Sequence, residues 1–240
     1  MSQVFWCILA FSVGSLCGVT NCRAVEDVRW PQFRGPGGVA KAEHQSIPLK
    51  FGPEQKQLWV AEIPLGNSSP VIWGEKLFIT GADGTDLFVL CYDRRNGKLL
   101  WKRKYQSKFT EDYFHEDCSP AAPTSCTYGQ RLVSCFGTHG LVAHDLDGNE
   151  LWQREYDDRS MNFGSGSAPV LDQGRVYCFR DTVVKSELLC LDAATGRELW
   201  CQERDAAQPS FSTPFIWRQA EQHQIVVAGS GYLDAYDAAT

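Results

Sequence analysis

The reading of this chain turns on CLDAATGRELW (Cys190–Trp200). Two stretches upstream repeat it: CYDRRNGKLLW (Cys91–Trp101) and AHDLDGNELW (Ala143–Trp152), the second one residue shorter at the turn. A fourth, AYDAAT, begins at Ala235. Each of the first three sets a small residue two places before an Asp, then a turn with Gly, then Trp on the following strand, and the fourth shows only the small residue and the Asp. Asp93, Asp145, Asp192 and Asp237 are placed to accept hydrogen bonds from the backbone N–H groups ahead of them and so close the turn. Gly97, Gly148 and Gly196 sit where a hairpin requires positive φ. Trp101, Trp152 and Trp200 fall on the strand that leaves the turn. There a large ring can cover the turn of a neighbouring unit and its N–H can find an acceptor. These ten positions are therefore assigned a structural role.

Working outward, a strand start containing Pro precedes each copy: Ser69-Pro70, Ser119-Pro120, Pro169-Val170 and Thr213-Pro214. The period of roughly 45–50 residues is that of a four-stranded propeller blade. The unit around Cys190 reads as four short strands: Ala168 to Leu171, Arg175 to Phe179, Glu187 to Leu191 and Glu198 to Gln202, separated by turn residues. The expected fold is all-β, with antiparallel four-stranded blades over 66–105, 119–156, 167–204 and 212–240, the last truncated. About four blades make an incomplete ring.

The eleven-residue unit resembles the tryptophan-docking repeat of pyrroloquinoline-quinone (PQQ)-like propellers, A-x-D-x-x-T-G-x-x-x-W. The opening Trp30-Pro31-Gln32-Phe33-Arg34-Gly35-Pro36 is similar to the start of an exported bacterial branch of that family. This resemblance implies a quinoprotein alcohol dehydrogenase-like fold of seven or eight blades. It also implies that residues 25–65 supply a strand to a closing blade. The outer-membrane assembly propeller lipoprotein is the implied model for a non-catalytic role.

Val4–Val19 is an uncharged apolar run followed by small residues at Cys22 and Ala24, the pattern of an export signal cut after Ala24. An uncleaved anchor and a lipidated Cys17 or Cys22 are the alternatives. The chain is expected in the periplasm or outside the cell, with no other span. A formal net charge of -6 and no basic run argue against nucleic acid as a partner.

Dehydrogenases with this repeat carry a vicinal Cys-Cys pair and a Ca²⁺ site, and neither is legible here. Asp145-Leu146-Asp147-Gly148 is the repeat's own turn. Phe163-Gly164-Ser165-Gly166-Ser167 precedes a strand, so it lacks the helix N-terminus that a phosphate loop uses. His115-Glu116-Asp117 reads as a charged loop, and Arg180 with Asp181, which follow a strand where they could face a channel, as a paired or solvated surface couple. Of ten Cys, Cys118 and Cys126 fall in a polar stretch suited to a disulfide, whereas the other strand cysteines read as small hydrophobes. No catalytic residue, metal ligand or cofactor is expected, PQQ entering only in a longer chain. The function read is an exported binding or scaffold propeller for a protein or cell-envelope polymer. Its alternatives are part of a PQQ- and calcium-dependent dehydrogenase, or the ectodomain of a longer sensor.

Overall fold

A computed structural model describes residues 28–42, 48–108, 118–137, 139–156, 165–182, 185–205, 209–220, 222–229 and 231–238. The export signal, His115-Glu116-Asp117 and Phe163-Gly164 lie outside them.

The described chain forms four antiparallel sheets. Sheet one orders β1 (Arg29–Trp30), β2 (Val71–Trp73), β3 (Lys76–Asp83), β4 (Asp86–Asp93) and β5 (Leu99–Gln106). Sheet two contains β6 (Cys126–Tyr128), β7 (Arg131–Phe136), β8 (Gly140–Asp145) and β9 (Glu150–Glu155). Sheet three contains β10 (Val170–Asp172), β11 (Arg175–Asp181), β12 (Ser186–Asp192) and β13 (Glu198–Glu203). Sheet four contains β14 (Phe215–Gln219), β15 (Gln222–Gly229) and β16 (Tyr232–Asp237). The strands follow chain order in every sheet, and each pairs antiparallel with the next.

Burial grades across each sheet. The two middle strands of sheets two and three are buried nearly throughout, because a neighbouring sheet packs on each face. Their near-continuous Val, Leu, Cys and Phe runs follow from that. The outer strands β5, β9 and β13 alternate or lie exposed, and carry Lys, Arg and Glu. Blunting an edge strand with charge is the usual protection against adventitious pairing.

Successive sheets share apolar cores. Phe78, Leu87 and Val89 of sheet one meet Leu132, Phe136 and Val142 of sheet two. Val133 and Leu141 meet Val176 and Leu189 of sheet three. Phe179 and Leu188 meet Ile216, Ile225 and Val227 of sheet four. The first strands face one another at the centre, where β2 approaches β6 and β6 approaches β10.

One cysteine expectation is corrected. Among the described residues no disulfide is present, and Cys126 does not lie in a loop. It opens β6 with its side chain in the core between sheets two and three, 1 % exposed, away from the polar stretch that holds Cys118. Arg180 and Asp181 are paired but not solvated. β11 carries them 8 % and 7 % exposed into the packed region, where Arg180 pairs with Glu187 and Asp181 meets Ser186 and Arg204.

Candidate functional site

The repeat residues meet across the sheet interfaces. In each turn the Asp carboxylate takes forward N–H groups. Arg95 N–H donates to Asp93 Oδ1 at 2.9 Å, Asp147 and Asn149 N–H to Asp145 at 2.9 and 2.8 Å, and Thr195 N–H to Asp192 at 2.9 Å. The Gly N–H returns to the Asp carbonyl, at 2.9 Å for Gly97, 3.1 Å for Gly148 and 2.8 Å for Gly196. Their φ values are +70°, +83° and +70°.

The preceding sheet's Trp lies flat on that turn. A Cβ added at Gly148 would stand 2.7 Å from the Trp101 ring, and one at Gly196 2.6 Å from Trp152. The indole N–H of Trp101 donates to Leu146 O and that of Trp152 to Ala193 O, both at 3.0 Å. In each case the acceptor is the carbonyl one residue after the turn Asp. Trp200 stands in the equivalent place on β13, but its N–H has no acceptor among the described residues. The equivalent carbonyl, of Ala238 after Asp237, instead accepts from the Tyr177 hydroxyl at 3.0 Å and from Arg175.

Trp59 belongs to this set, and the sequence reading missed it. Its N–H donates to Arg94 O at 2.9 Å, and its ring covers Gly97, whose added Cβ would be 2.6 Å away. The signal was present in Leu58-Trp59, in register with Leu100-Trp101, Leu151-Trp152 and Leu199-Trp200.

The opening WPQFRGP motif crosses the centre of the array. Gly74 N–H donates to Val28 O at 2.9 Å on sheet one, and Thr127 N–H to Pro31 O at 2.8 Å on sheet two. Further along, Gly38 lies beside Phe215 of sheet four. This strap and the ends of the first strands enclose a cavity of about 570 Å³. Trp30, Trp73 and Tyr128 give it aromatic walls. The Arg29 guanidinium stacks 4.3 Å from the Trp73 ring centre, and the Trp73 and Tyr128 rings meet edge-on at 6.2 Å. Its charged lining is Arg29, Lys41, Arg218 and one carboxylate, Asp172, which Arg218 engages at 2.6 Å.

Two more polar groups are built into the interfaces. His144 on β8 is fully buried, its Nε2 2.7 Å from the Tyr105 hydroxyl and its ring 5.7 Å from that of Trp101. Burial holds its pKa down at about 4. Between sheets three and four, Arg204 binds Asp234 at 2.8 Å through Nε and approaches Asp181 at 3.5 Å. Burial opposes the charge on Glu187, yet Lys185 and Arg180 outweigh it and leave the carboxyl below its ordinary range. Among the described residues no group of three or more His, Cys, Asp and Glu is arranged to hold a metal ion. Nor is any helix among them long and apolar enough to cross a membrane.

Residues 137–240 match the family described as outer membrane protein assembly factor BamB. The chain carries PQQ-like propeller repeats. The sheets are its blades, and the Trp-on-turn contacts are the joints between them.

Among solved structures, quinohemoprotein alcohol dehydrogenase from Comamonas testosteroni matches with a TM-score of 0.59 at 12% identity, over 82% of this chain and 35% of that one. The quinohemoprotein alcohol dehydrogenase ADHIIG from Pseudomonas putida HK5 matches at 0.52 and 16% identity, over 71% of this chain and 30% of that one. BamB from Moraxella catarrhalis gives 0.44 at 18% identity, over 72% of this chain and 45% of that one. The chain thus spans about a third of the length of these dehydrogenases. No curated protein matches it.

Among the described residues that line the axial cavity the one carboxylate, Asp172, is engaged by Arg218, and no two cysteines are adjacent in the sequence.

Proposed function

We propose that the chain is an exported, non-catalytic propeller module that binds a protein or a cell-envelope polymer. In this reading residues 1–24 are the export signal, 25–65 are an N-terminal segment that supplies a strand to close the ring, and the blades run over 66–105, 119–156, 167–204 and 212–240, the last truncated. No cofactor is required of these residues.

The observation that carries the reading is the lining of the axial cavity. Aromatic rings and three cationic side chains surround a single carboxylate that is already paired. Such a wall offers stacking surface and positive charge to an extended ligand with apolar and acidic groups. Among the described lining residues the one carboxylate, Asp172, is held by Arg218 rather than left to take a proton.

The test has two arms. The chain is expressed with residues 1–24 in a Gram-negative host, and material from the cell envelope is sequenced from its N-terminus. Val25 as the first residue is expected, and retention of Met1 in a cytoplasmic pool overturns export. Purified protein is also titrated with PQQ and Ca²⁺, followed by a dye-linked alcohol oxidation assay. Micromolar binding with turnover overturns the non-catalytic reading. It would favour instead a piece of a quinoprotein dehydrogenase, the alternative supported by the fold likeness at a TM-score of 0.59.

A further inference from the structure

The two ends of the blade array are complementary. Residues 57–63 run along blade one without joining its sheet. Among the described residues none of them forms a backbone–backbone hydrogen bond. Trp59 covers the Gly97 turn, Ala61 packs against the Phe88, Leu90 and Tyr92 cluster, and the Tyr92 hydroxyl donates to Glu62 O at 3.4 Å. The alternate residues Leu58 and Val60 are exposed. The segment thus sits on the blade-one turn as β5 and β9 sit on the turns of blades two and three. It is an outermost strand with no inner strand beside it among the described residues.

Blade four shows the reverse. β16 pairs with β15 alone, and its other edge carries no strand among the described residues. An open edge of this kind is a template for a further strand. Val226 pairs with Phe215 and Ala235 as Tyr177 pairs with Val170 and Cys190. Val170, Tyr177, Cys190 and Leu188 are buried where blade three meets blade four. Of their counterparts in blade four, Phe215 is 39 % and Leu233 73 % exposed, and Ala235 is exposed as well. Trp217 on β14 widens the exposed apolar surface of this blade. A contiguous apolar surface of this sort marks an interaction site.

We propose that a second copy of this chain fills both places, residues 57–63 of each copy forming the fourth strand of the other copy's blade four. The occupant is a copy because the strand that blade four lacks is carried by the chain itself, with its Trp joint already made on blade one. The register follows from the internal blades. Trp101, Trp152 and Trp200 stand opposite Cys91, Ala143 and Cys190. Trp59 is therefore set opposite the partner's Ala235, Ala61 opposite the partner's Leu233 and Glu62 opposite the partner's Tyr232. Blade four of one copy packs on blade one of the other, continuing the interfaces that run through each chain. The contact is made twice about a two-fold axis, so the pair closes on itself. This rests on the reading of residues 25–65 as a ring-closing segment, and it names the ring as one shared with a second copy.

The test begins with the full chain, expressed with residues 1–24 in place, purified and held at about 20 μM, where contacts of micromolar strength are populated. Intact-mass spectrometry gives the mass of one copy, and light scattering after size exclusion gives the mass of the assembly. The expected ratio is two. A ratio of one overturns the proposal, and so does a ratio above two, from copies joined end to end without closing. A co-purifying polypeptide of another mass overturns it as well. Leu233→Arg changes an exposed side chain and should lower the ratio to one with an unchanged far-UV circular dichroism spectrum. A ratio that stays at two overturns the placement of the contact.

The pairing itself is read by crosslinking, which also decides the matter where Leu233→Arg fails to fold. Glu62→Cys and Tyr232→Cys are made in separate chains, mixed at high dilution, concentrated and treated with a short bismaleimide. Tryptic peptides 57–76 and 219–240 contain no native cysteine, so a join between them runs between copies through the introduced thiols. That join is expected. A ratio of two without it sinks the ring-closing role of residues 25–65 along with the proposal, whereas a ratio of one sinks the second copy alone. The intact mass shows separately whether residues 1–24 have been removed, so a failure of export is not mistaken for a failure of pairing.

Discussion

Replacing Trp152 by Ala tests the joint between blades two and three. The side chain is 8 % exposed, lies against Gly196 and donates to Ala193 O at 3.0 Å. Truncating a buried Trp costs about 3–5 kcal/mol from lost burial and the cavity left behind. Ala193 is itself 1 % exposed, so its carbonyl would also lose its donor in a dry place. We therefore place Trp152→Ala in the upper half of that range, about 4–5 kcal/mol. Trp152→Phe keeps most of the apolar area but not the N–H, and should cost about 1–2 kcal/mol. Trp200→Phe supplies an internal control. The Trp200 N–H has no acceptor among the described residues, so the same chemical change should cost about 1 kcal/mol less there. The assay is urea denaturation followed by far-UV circular dichroism, with unchanged m-values confirming that the same surface is exposed. Leu151, 43 % exposed on the same strand, gives the baseline. If Trp152→Ala costs no more than Leu151→Ala, the ring does not join the blades. If Trp152→Phe and Trp200→Phe cost the same, the indole hydrogen bond is not what distinguishes the two joints.

Gly196→Ala should destabilise by about 2–4 kcal/mol, because φ is +70° and the new methyl would meet the Trp152 ring. Gly174→Ala, with φ +78° but open space around it, should cost only about 1 kcal/mol in the same urea series. His144 is held at about 4 in the folded chain against an ordinary 6.5, so between those values the unfolded chain binds more protons and stability falls as pH is lowered. The loss from pH 7 to pH 4 should reach about 3 kcal/mol, and a His144→Gln variant whose pH profile stays equally steep would refute the assignment. Asp93 is held at about 2, chiefly by the Arg95 hydrogen bond. Its contribution is complete above the unfolded value near 3.9 and is lost as pH falls toward 2. Asp93→Asn should remove that part of the acid titration, read as a smaller difference in melting temperature between pH 4.5 and pH 2.5.

The repeat was legible because its chemistry is local. Asp192, Gly196 and Trp200 lie within nine residues, and each constrains the backbone or the neighbouring turn in a way that shows in the residue type. The same locality explains Trp59. Its turn, Asp93 to Gly97, lies some 35 residues downstream, and the stretch before Trp59 has no Asp-and-Gly turn to announce it. Only the Leu-Trp pair remained as a signal. Cys126 misled because Cys118 to Ser125 is polar and rich in Pro, Ser and Thr, whereas the side chain's direction is decided by β6 pairing with β7, Cys126 opposite Val133. Arg180 and Asp181 looked like the exposed end of a strand. Their partners Glu187 and Arg204 come from another strand and a strand end, Arg204 in turn binds Asp234 of β16, and no local pattern brings those together.

The cavity lay furthest from the sequence, and the reason is its construction. The strands β2, β6, β10 and β14 each contribute two residues: Ile72 and Trp73, Thr127 and Tyr128, Leu171 and Asp172, Ile216 and Arg218. The pairs differ, with only Ile72 and Ile216 alike in type, because repeat-to-repeat similarity is maintained by the joints and not by the centre. A repeat architecture leaves its central side chains free to differ as long as the Trp-on-turn contacts hold the blades in register. The strap adds what no repeat search can find. β1 is two residues long, too short for an alternation to be read, and it joins β2 through Arg29 opposite Trp73 and Trp30 opposite Ile72. That pairing brings Arg29 and Trp30 to the cavity wall, and the Thr127 bond to Pro31 carries the chain over to blade two. On the proposed reading, the residues that would give this propeller its binding surface are thus the ones that the repeat does not constrain. A change of ligand between chains of this fold would be written at positions 29–30, 72–73, 127–128 and 171–172, with every Asp, Gly and Trp of the joints left unchanged.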